Sequence, residues 1–197
     1  MSRVKKDAAI RREDILNATL AAIEDQGIDR IRGADLAKRV GVSTGLIFYH
    51  FDNLENLIVS AFRFGASRDM DHLRAVLEST DGDSATRLRA VLHEYGPTGT
   101  AFGWRLWIES WSASLRNPEL RKVVQTLDTG WRDVLIDLIE EGTRTGEFHC
   151  PDPAAAAWRI TSLLDGLTVQ QVVFDDAVTS EQVADWMELT LSRELGI

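Results

Sequence analysis

Apolar and polar positions along this 197-residue chain follow the helical period almost throughout. Ile15, Ala18, Thr19, Ala22 and Ile23 recur at i, i+3, i+4, i+7 and i+8, predicting a helix from about Arg11 to Gln26 that stops at Gly27. Leu36, Ala37 and Val40 form a shorter stripe ended by Gly41, where glycine suits the left-handed position after a helix. Ser43 then caps a second short helix through Phe51, its hydroxyl able to accept from the N–H of Gly45 or Leu46. From Asn53 to about Glu78 the stripe Leu54, Leu57, Ile58, Ala61, Phe62, Phe64, Met70, Leu73 and Leu77 describes one long helix. At about 1.5 Å rise per residue it extends roughly 39 Å, enough to link a front segment to a distant rear one. Further helices are predicted from Ser84 to Tyr95, Thr100 to Leu115, Pro118 to Thr143, Pro153 to Asp175 and Ser180 to Leu195, with a turn-rich connection over Gly142 to Asp152. No strand-like alternation of convincing length occurs, so the fold class is all-α with about nine helices.

The helix after Ser43 has an unusual outer face. Ile47 and Phe51 share one side, while Gly45, Leu46 and Tyr49 point to the other. A helix that exposes a glycine, a leucine and a tyrosine suits another surface better than water. The major groove of B-DNA is such a surface, with Tyr49 and His50 as donors to phosphate; an ordinary hairpin within a larger bundle satisfies the same periodicity.

Charge sharpens this picture. The net charge of −9 is unevenly divided: residues 1–50 hold nine Lys/Arg against seven Asp/Glu, and residues 51–197 hold thirteen against twenty-four. Only the front segment can approach phosphates without repulsion. Arg3, Lys5 and Lys6 lie in a polar arm over Met1 to Ile10. The charged N-terminus lacks an apolar run, so no signal peptide is expected, and no stretch of about 18 apolar residues predicts a membrane span. One cysteine, Cys150, allows no internal disulfide and fits a reducing cytoplasm.

Rear-half chemistry centres on tryptophan. Trp104, Trp107 and Trp111 recur at i, i+3 and i+7 with Phe102 nearby; they are either core packing or the aromatic wall of a cavity. Phe64, His93, Glu109 and Trp131 complete the candidate ligand-contacting set, and an inward Glu109 or His93 would hold a cation against indole faces. The last two helices are apolar around much of their circumference, either as a subunit interface or as a hairpin closing the chain's own core. Trp158, Leu163, Leu167, Gln170, Trp186 and Leu189 are its candidate interface residues. His149-Cys150 is too small a ligand set for a metal site, and no paired-carboxylate metal pattern, Gly-rich phosphate loop or nucleophile elbow is present. No enzyme activity, cofactor, metal or catalytic residue is therefore expected.

The segments ILNATLAAIEDQG, DLAKRVGVSTGLIFYHF and ENLI resemble the DNA-binding domain of the TetR family of bacterial regulators in sequence, spacing and position. WRLWIESW, NPELRKV and the stretch from GEF to LLDGL are similar to its BetI-like branch. The resemblance implies a helix-turn-helix DNA-binding domain over residues 1–52 and a ligand-binding and dimerisation domain over residues 53–197. It places Ser43, Thr44, Gly45, Leu46, Tyr49 and His50 at or near double-stranded operator DNA. It further implies a homodimer built from the last two helices and a pocket for a small, apolar or aromatic effector. Leu54 stands where the family often has lysine, and Arg32 stands where a Thr or Ser commonly opens the second helix, offering a charged phosphate contact instead. The function expected is a dimeric repressor released from a palindrome by an effector; a ligand sensor or protein-interaction module without strong DNA binding is the alternative.

Overall fold

The computed structural model describes residues 3–96, 103–174 and 177–197, with side chains described from Arg12 onward. Among the described residues there are nine α-helices, one 3-10 turn and no strand: α1 (Arg3–Gln26), the turn Ile28–Arg30, α2 (Gly33–Val40), α3 (Thr44–Phe51), α4 (Leu54–Ser79), α5 (Ser84–Tyr95), α6 (Trp104–Ser114), α7 (Pro118–Thr145), α8 (Pro153–Val173) and α9 (Ser180–Leu195). None of these helices is long and apolar enough to cross a membrane.

The boundaries of α1 and α7 differ from the sequence expectation. α1 begins at Arg3 rather than Arg11, because the preceding residues contain no helix breaker yet carry no apolar stripe for periodicity to detect. α7 continues to Thr145, past the expected turn at Gly142. There Phe148 folds back so closely that a Cβ on Gly142 would lie 2.3 Å from its ring. The break expected at Pro97-Thr98-Gly99 and the start of a helix at Thr100 lie outside the described residues.

The chain divides into two compact units, Met1–Arg68 with Arg105–Gln125, and Asp69–Trp104 with Thr126–Ile197. In the first, Ile15, Leu16, Ile23, Ile31, Leu36, Ile47, Leu57 and Phe62 are almost fully buried. At about 25 cal/mol per Å² of apolar surface, each such side chain contributes roughly 1.5–3 kcal/mol, offset by ordering entropy. Polar ties join distant parts of this unit: Asn117 donates to Glu55 at 2.9 Å, Arg68 to Asn17 at 2.8 Å, and Glu109 accepts from the Ile28 N–H at 3.0 Å.

In the second unit α8 and α9 pack as a hairpin. Ala156, Ala157, Ile160 and Leu164 of α8 and Val183, Met187, Leu191 and Leu195 of α9 are buried. Asp152 caps α8, and Thr179 with Gln182 forms a reciprocal capping box on α9. Arg89 of α5 reaches Glu188 of α9 with two parallel 2.9 Å hydrogen bonds, the fork geometry guanidinium favours.

Candidate functional site

The front unit builds a helix-turn-helix from local chemistry. α2 ends on Gly41, whose φ of 73° and ψ of 35° are left-handed, and the Val42 N–H returns to the Ala37 carbonyl at 2.9 Å. α3 starts under Ser43, whose Oγ accepts from the Leu46 N–H at 3.2 Å. Ile47 and Phe51 enter the core, and Phe48 lies over the start of α2, where a Cβ on Gly33 would approach its ring to 2.9 Å. α3 is thus held by one face.

Its other face is open. Tyr49 is 81% exposed, Ser43 and Gly45 are exposed, and Thr44, Leu46 and His50 are half-buried. Open space surrounds the position of a Cβ on Gly45 apart from the Ser43 hydroxyl at 3.9 Å, so glycine leaves room for a partner surface rather than avoiding an internal clash. Tyr49 and His50 meet edge to face at 5.4 Å. No acidic residue falls within the segment from Ser43 to Phe51. Arg32 is exposed, and its Nη1 donates to the carbonyls of Asp29 and Ile31 at 3.0 and 2.9 Å. Leu54 opens α4 half-buried, beside the Asn53 side chain that accepts from the Asn56 N–H.

Between α3 and α4, Asp52 has φ 62° and ψ −49°, and the Asn53 N–H bonds the Phe51 carbonyl at 2.7 Å. That is a γ-turn of the strained, positive-φ kind.

The rear unit gathers an aromatic cluster around Tyr95. Its ring meets Trp131 edge to face at 5.2 Å and Trp104 at 5.8 Å. Each polar tip in the cluster has a protein acceptor: Trp104 Nε1 donates to the Tyr95 carbonyl at 2.9 Å, Trp131 Nε1 to buried Asp69 at 2.6 Å, and the Tyr95 hydroxyl to Asp165 at 2.7 Å. With the N–H and O–H groups engaged, the rings have mainly π-surface to offer. Burial pushes the Asp165 carboxyl up to about 6, the negative Asp128 adding to this, while the Tyr95 hydrogen bond and Arg132 pull it down. Burial, and then the charge of Asp165, likewise drive the Tyr95 hydroxyl well above its ordinary value, so it stays a donor.

Beside this cluster Arg132 is buried, bonded to Asp128 at 2.7 Å, with its guanidinium 3.4 Å from the Trp158 ring centroid. Trp158 is itself 55% exposed on α8, and Phe174, Trp186 and Leu189 are 52%, 41% and 48% exposed. Leu163 and Leu167 are half-buried, and Gln170 is exposed.

The expected ligand set is divided between the two units. Trp104 and Trp131 come together through Tyr95, whereas Trp107 and Trp111 belong to the front unit and pair with each other at 5.7 Å. Phe64 is also in the front unit, with the Arg68 guanidinium 5.5 Å from its ring. Glu109 is in the front unit as well, where its carboxylate holds the Ile28 amide. His93 lines a cavity of about 440 Å³ with Leu92, Leu164, Val183 and Met187. Phe102 lies outside the described residues. Sequence periodicity overlooked Tyr95, Asp69, Asp128, Arg132 and Asp165. Tyr95 was the one with a signal, as one of two tyrosines in the chain, placed at a helix end.

Known proteins resemble both halves of this arrangement. The model of the family described as bacterial regulatory proteins, tetR family, matches residues 15–61, and that of the BetI-type transcriptional repressor, C-terminal, matches residues 84–196. The regulator BetI of Pectobacterium carotovorum is 29% identical over 199 residues, covering 93% of this chain and 95% of that protein. BetI of Klebsiella pneumoniae is 29% identical over 161 residues, covering 80% of each. These relatives are named as transcriptional regulators, not enzymes. Among solved structures, a transcriptional regulator from Saccharomonospora viridis in complex with choline superposes with a TM-score of 0.88 at 23% identity, covering 95% of this chain and 98% of that one. A TetR-family regulator from a Rhodococcus species has a TM-score of 0.74 at 26% identity, covering 94% and 98%.

Proposed function

Since the chain belongs to the TetR family of DNA-binding regulators, with a BetI-type C-terminal region, we propose that it is a dimeric repressor released from its operator by an organic cation of the choline class. The observation that carries the effector class is the cluster of Tyr95, Trp104 and Trp131 edged by Asp165. A quaternary ammonium donates no hydrogen bond, so it favours aromatic faces and a nearby negative charge over polar tips. Aromatic rings whose N–H and O–H groups are already engaged, beside a carboxylate, match that requirement. The choline bound to the Saccharomonospora viridis regulator supports the same class.

In this reading residues 1–52 read DNA, with Tyr49 and His50 on phosphates and Gly45 and Leu46 at the base edges, and residues 53–197 sense the ligand and dimerise. Trp158, Phe174, Trp186 and Leu189, exposed in the single chain, would be covered by the same face of a second copy about a two-fold axis. Two α3 helices would then enter major grooves about 34 Å apart on a palindrome. The effector favours a state with the wrong separation, and a differential affinity of about 1–3 kcal/mol accounts for release. The protein would act where its operator is, in the cytoplasm.

A gel shift on DNA from upstream of the protein's own gene, run at rising salt with and without choline, tests the whole. A complex at low salt that choline dissolves is expected; no complex at any salt would end the repressor reading. Unchanged tryptophan fluorescence across a panel of quaternary ammonium compounds would end the effector reading.

A further inference from the structure

The compact unit that holds α1, α2 and α3 also takes in residues 105–125, and one tie inside it is unlike the rest. The half-buried carboxylate of Glu109, on α6, accepts from the Ile28 N–H at 3.0 Å, across a sequence separation of 81. The backbone is arranged to allow it. Gly27 has φ 84° and ψ 158°, a region open in practice to glycine alone, and this turns the Ile28 N–H away from α1. A Cβ at position 27 would also lie 3.1 Å from Glu109 Oε1. The positive φ favours glycine, and a Cβ there would crowd the same carboxylate. The amide it holds belongs to the 3-10 turn Ile28–Arg30, which joins α1 to α2.

α6 begins at Trp104, whose indole contacts Tyr95, and Glu109 lies five residues on, about 7.5 Å along the same helix. We propose that Glu109 is the positioning residue that fixes the α1–α2 turn of the DNA-binding helices to α6, so that displacement of α6 at its Trp104 end reaches the operator through the Ile28 amide. The part played by the effector rests on the reading of the Tyr95 cluster as its site. The effect of Glu109 on operator binding does not.

The test compares wild type, Glu109→Ala and Glu109→Gln in the full chain. Operator Kd is measured with and without choline, and choline binding is followed by tryptophan fluorescence. Glu109→Ala is expected to bind choline as wild type does, to bind operator at least threefold more weakly, and to show a choline-dependent change in operator Kd at least fivefold smaller than wild type. Glu109→Gln keeps an acceptor oxygen and should restore most of both, which a loss of charge or of general stability would not predict. Wild-type operator affinity and wild-type choline response in Glu109→Ala overturn the proposal. If wild type itself fails to bind choline, the effector reading falls, and operator affinity decides the proposal: a loss rescued by Gln supports it, and no loss overturns it.

Discussion

Replacing Asp165 by asparagine should raise stability at neutral pH while weakening the binding of an organic cation. Burial raises the Asp165 carboxyl from its ordinary 3.8 to about 6. At about 1.4 kcal/mol per pKa unit, holding it ionised above that point costs roughly 3 kcal/mol of folding free energy. Because the folded-state value is raised, the native protein binds the proton more tightly than the unfolded chain does. Stability is therefore greatest below about pH 4, declines as pH rises to about 6, and is level above that. Asparagine removes this titration but accepts the Tyr95 hydroxyl, now 2.7 Å from the carboxylate, less strongly, at a cost of about 1 kcal/mol. The variant should be about equal or slightly less stable near pH 4 and about 1–2 kcal/mol more stable at pH 7. Urea denaturation of both proteins from pH 4 to 8, with choline titrated into each at pH 7.5, measures both effects. A stability difference that stays constant across that range, or a variant less stable at pH 7, would refute the assignment of a buried, costly carboxylate.

Three further substitutions probe the remaining features. Tyr49→Ala, at an 81% exposed position, should change stability by no more than about 0.5 kcal/mol yet weaken operator binding about tenfold on specific and nonspecific DNA alike, as gel shifts with both DNAs would register. Asp52→Gly relieves the positive-φ γ-turn between α3 and α4, and thermal melts should show a gain of about 1 kcal/mol, or 2–4 °C in Tm. Gly142→Ala drives a methyl into the Phe148 ring at 2.3–2.8 Å, and chemical denaturation should report a loss of about 2 kcal/mol or more.

Much of the architecture was legible because a helix repeats its burial every 3.6 residues. Ile15 and Ile23 in α1, Leu36 in α2 and Ile47 with Phe51 in α3 are buried where periodicity put them. Gly41 and Ser43 end one helix and begin the next through local backbone chemistry, so neither depends on anything distant. The outward set of Gly45 and Tyr49 follows from the same angular arithmetic.

The candidate ligand cluster was not legible in that way. Trp104, Trp107 and Trp111 share a stripe, yet Trp104 meets Tyr95 while Trp107 pairs with Trp111. Helical spacing says which side chains share a face, not what that face meets. Tyr95, Asp69 and Asp165 come from α5, α4 and α8, and only packing brings α5 and α8 to opposite ends of one 2.7 Å hydrogen bond. Glu109 makes the same point. In the sequence it is one more charged residue beside an aromatic stripe. Its partner, the Ile28 amide, lies 81 residues away, and that pairing depends on both the path of α6 and the positive φ of Gly27. Local periodicity and capping determined the helices and the outward face of α3. Tertiary structure decided which carboxylates hold the rings of the Tyr95 cluster, and which one holds the turn between α1 and α2. The physical reason is that helix formation is a property of neighbours in the chain, whereas polar groups in the interior are satisfied by whatever the fold brings within 3 Å.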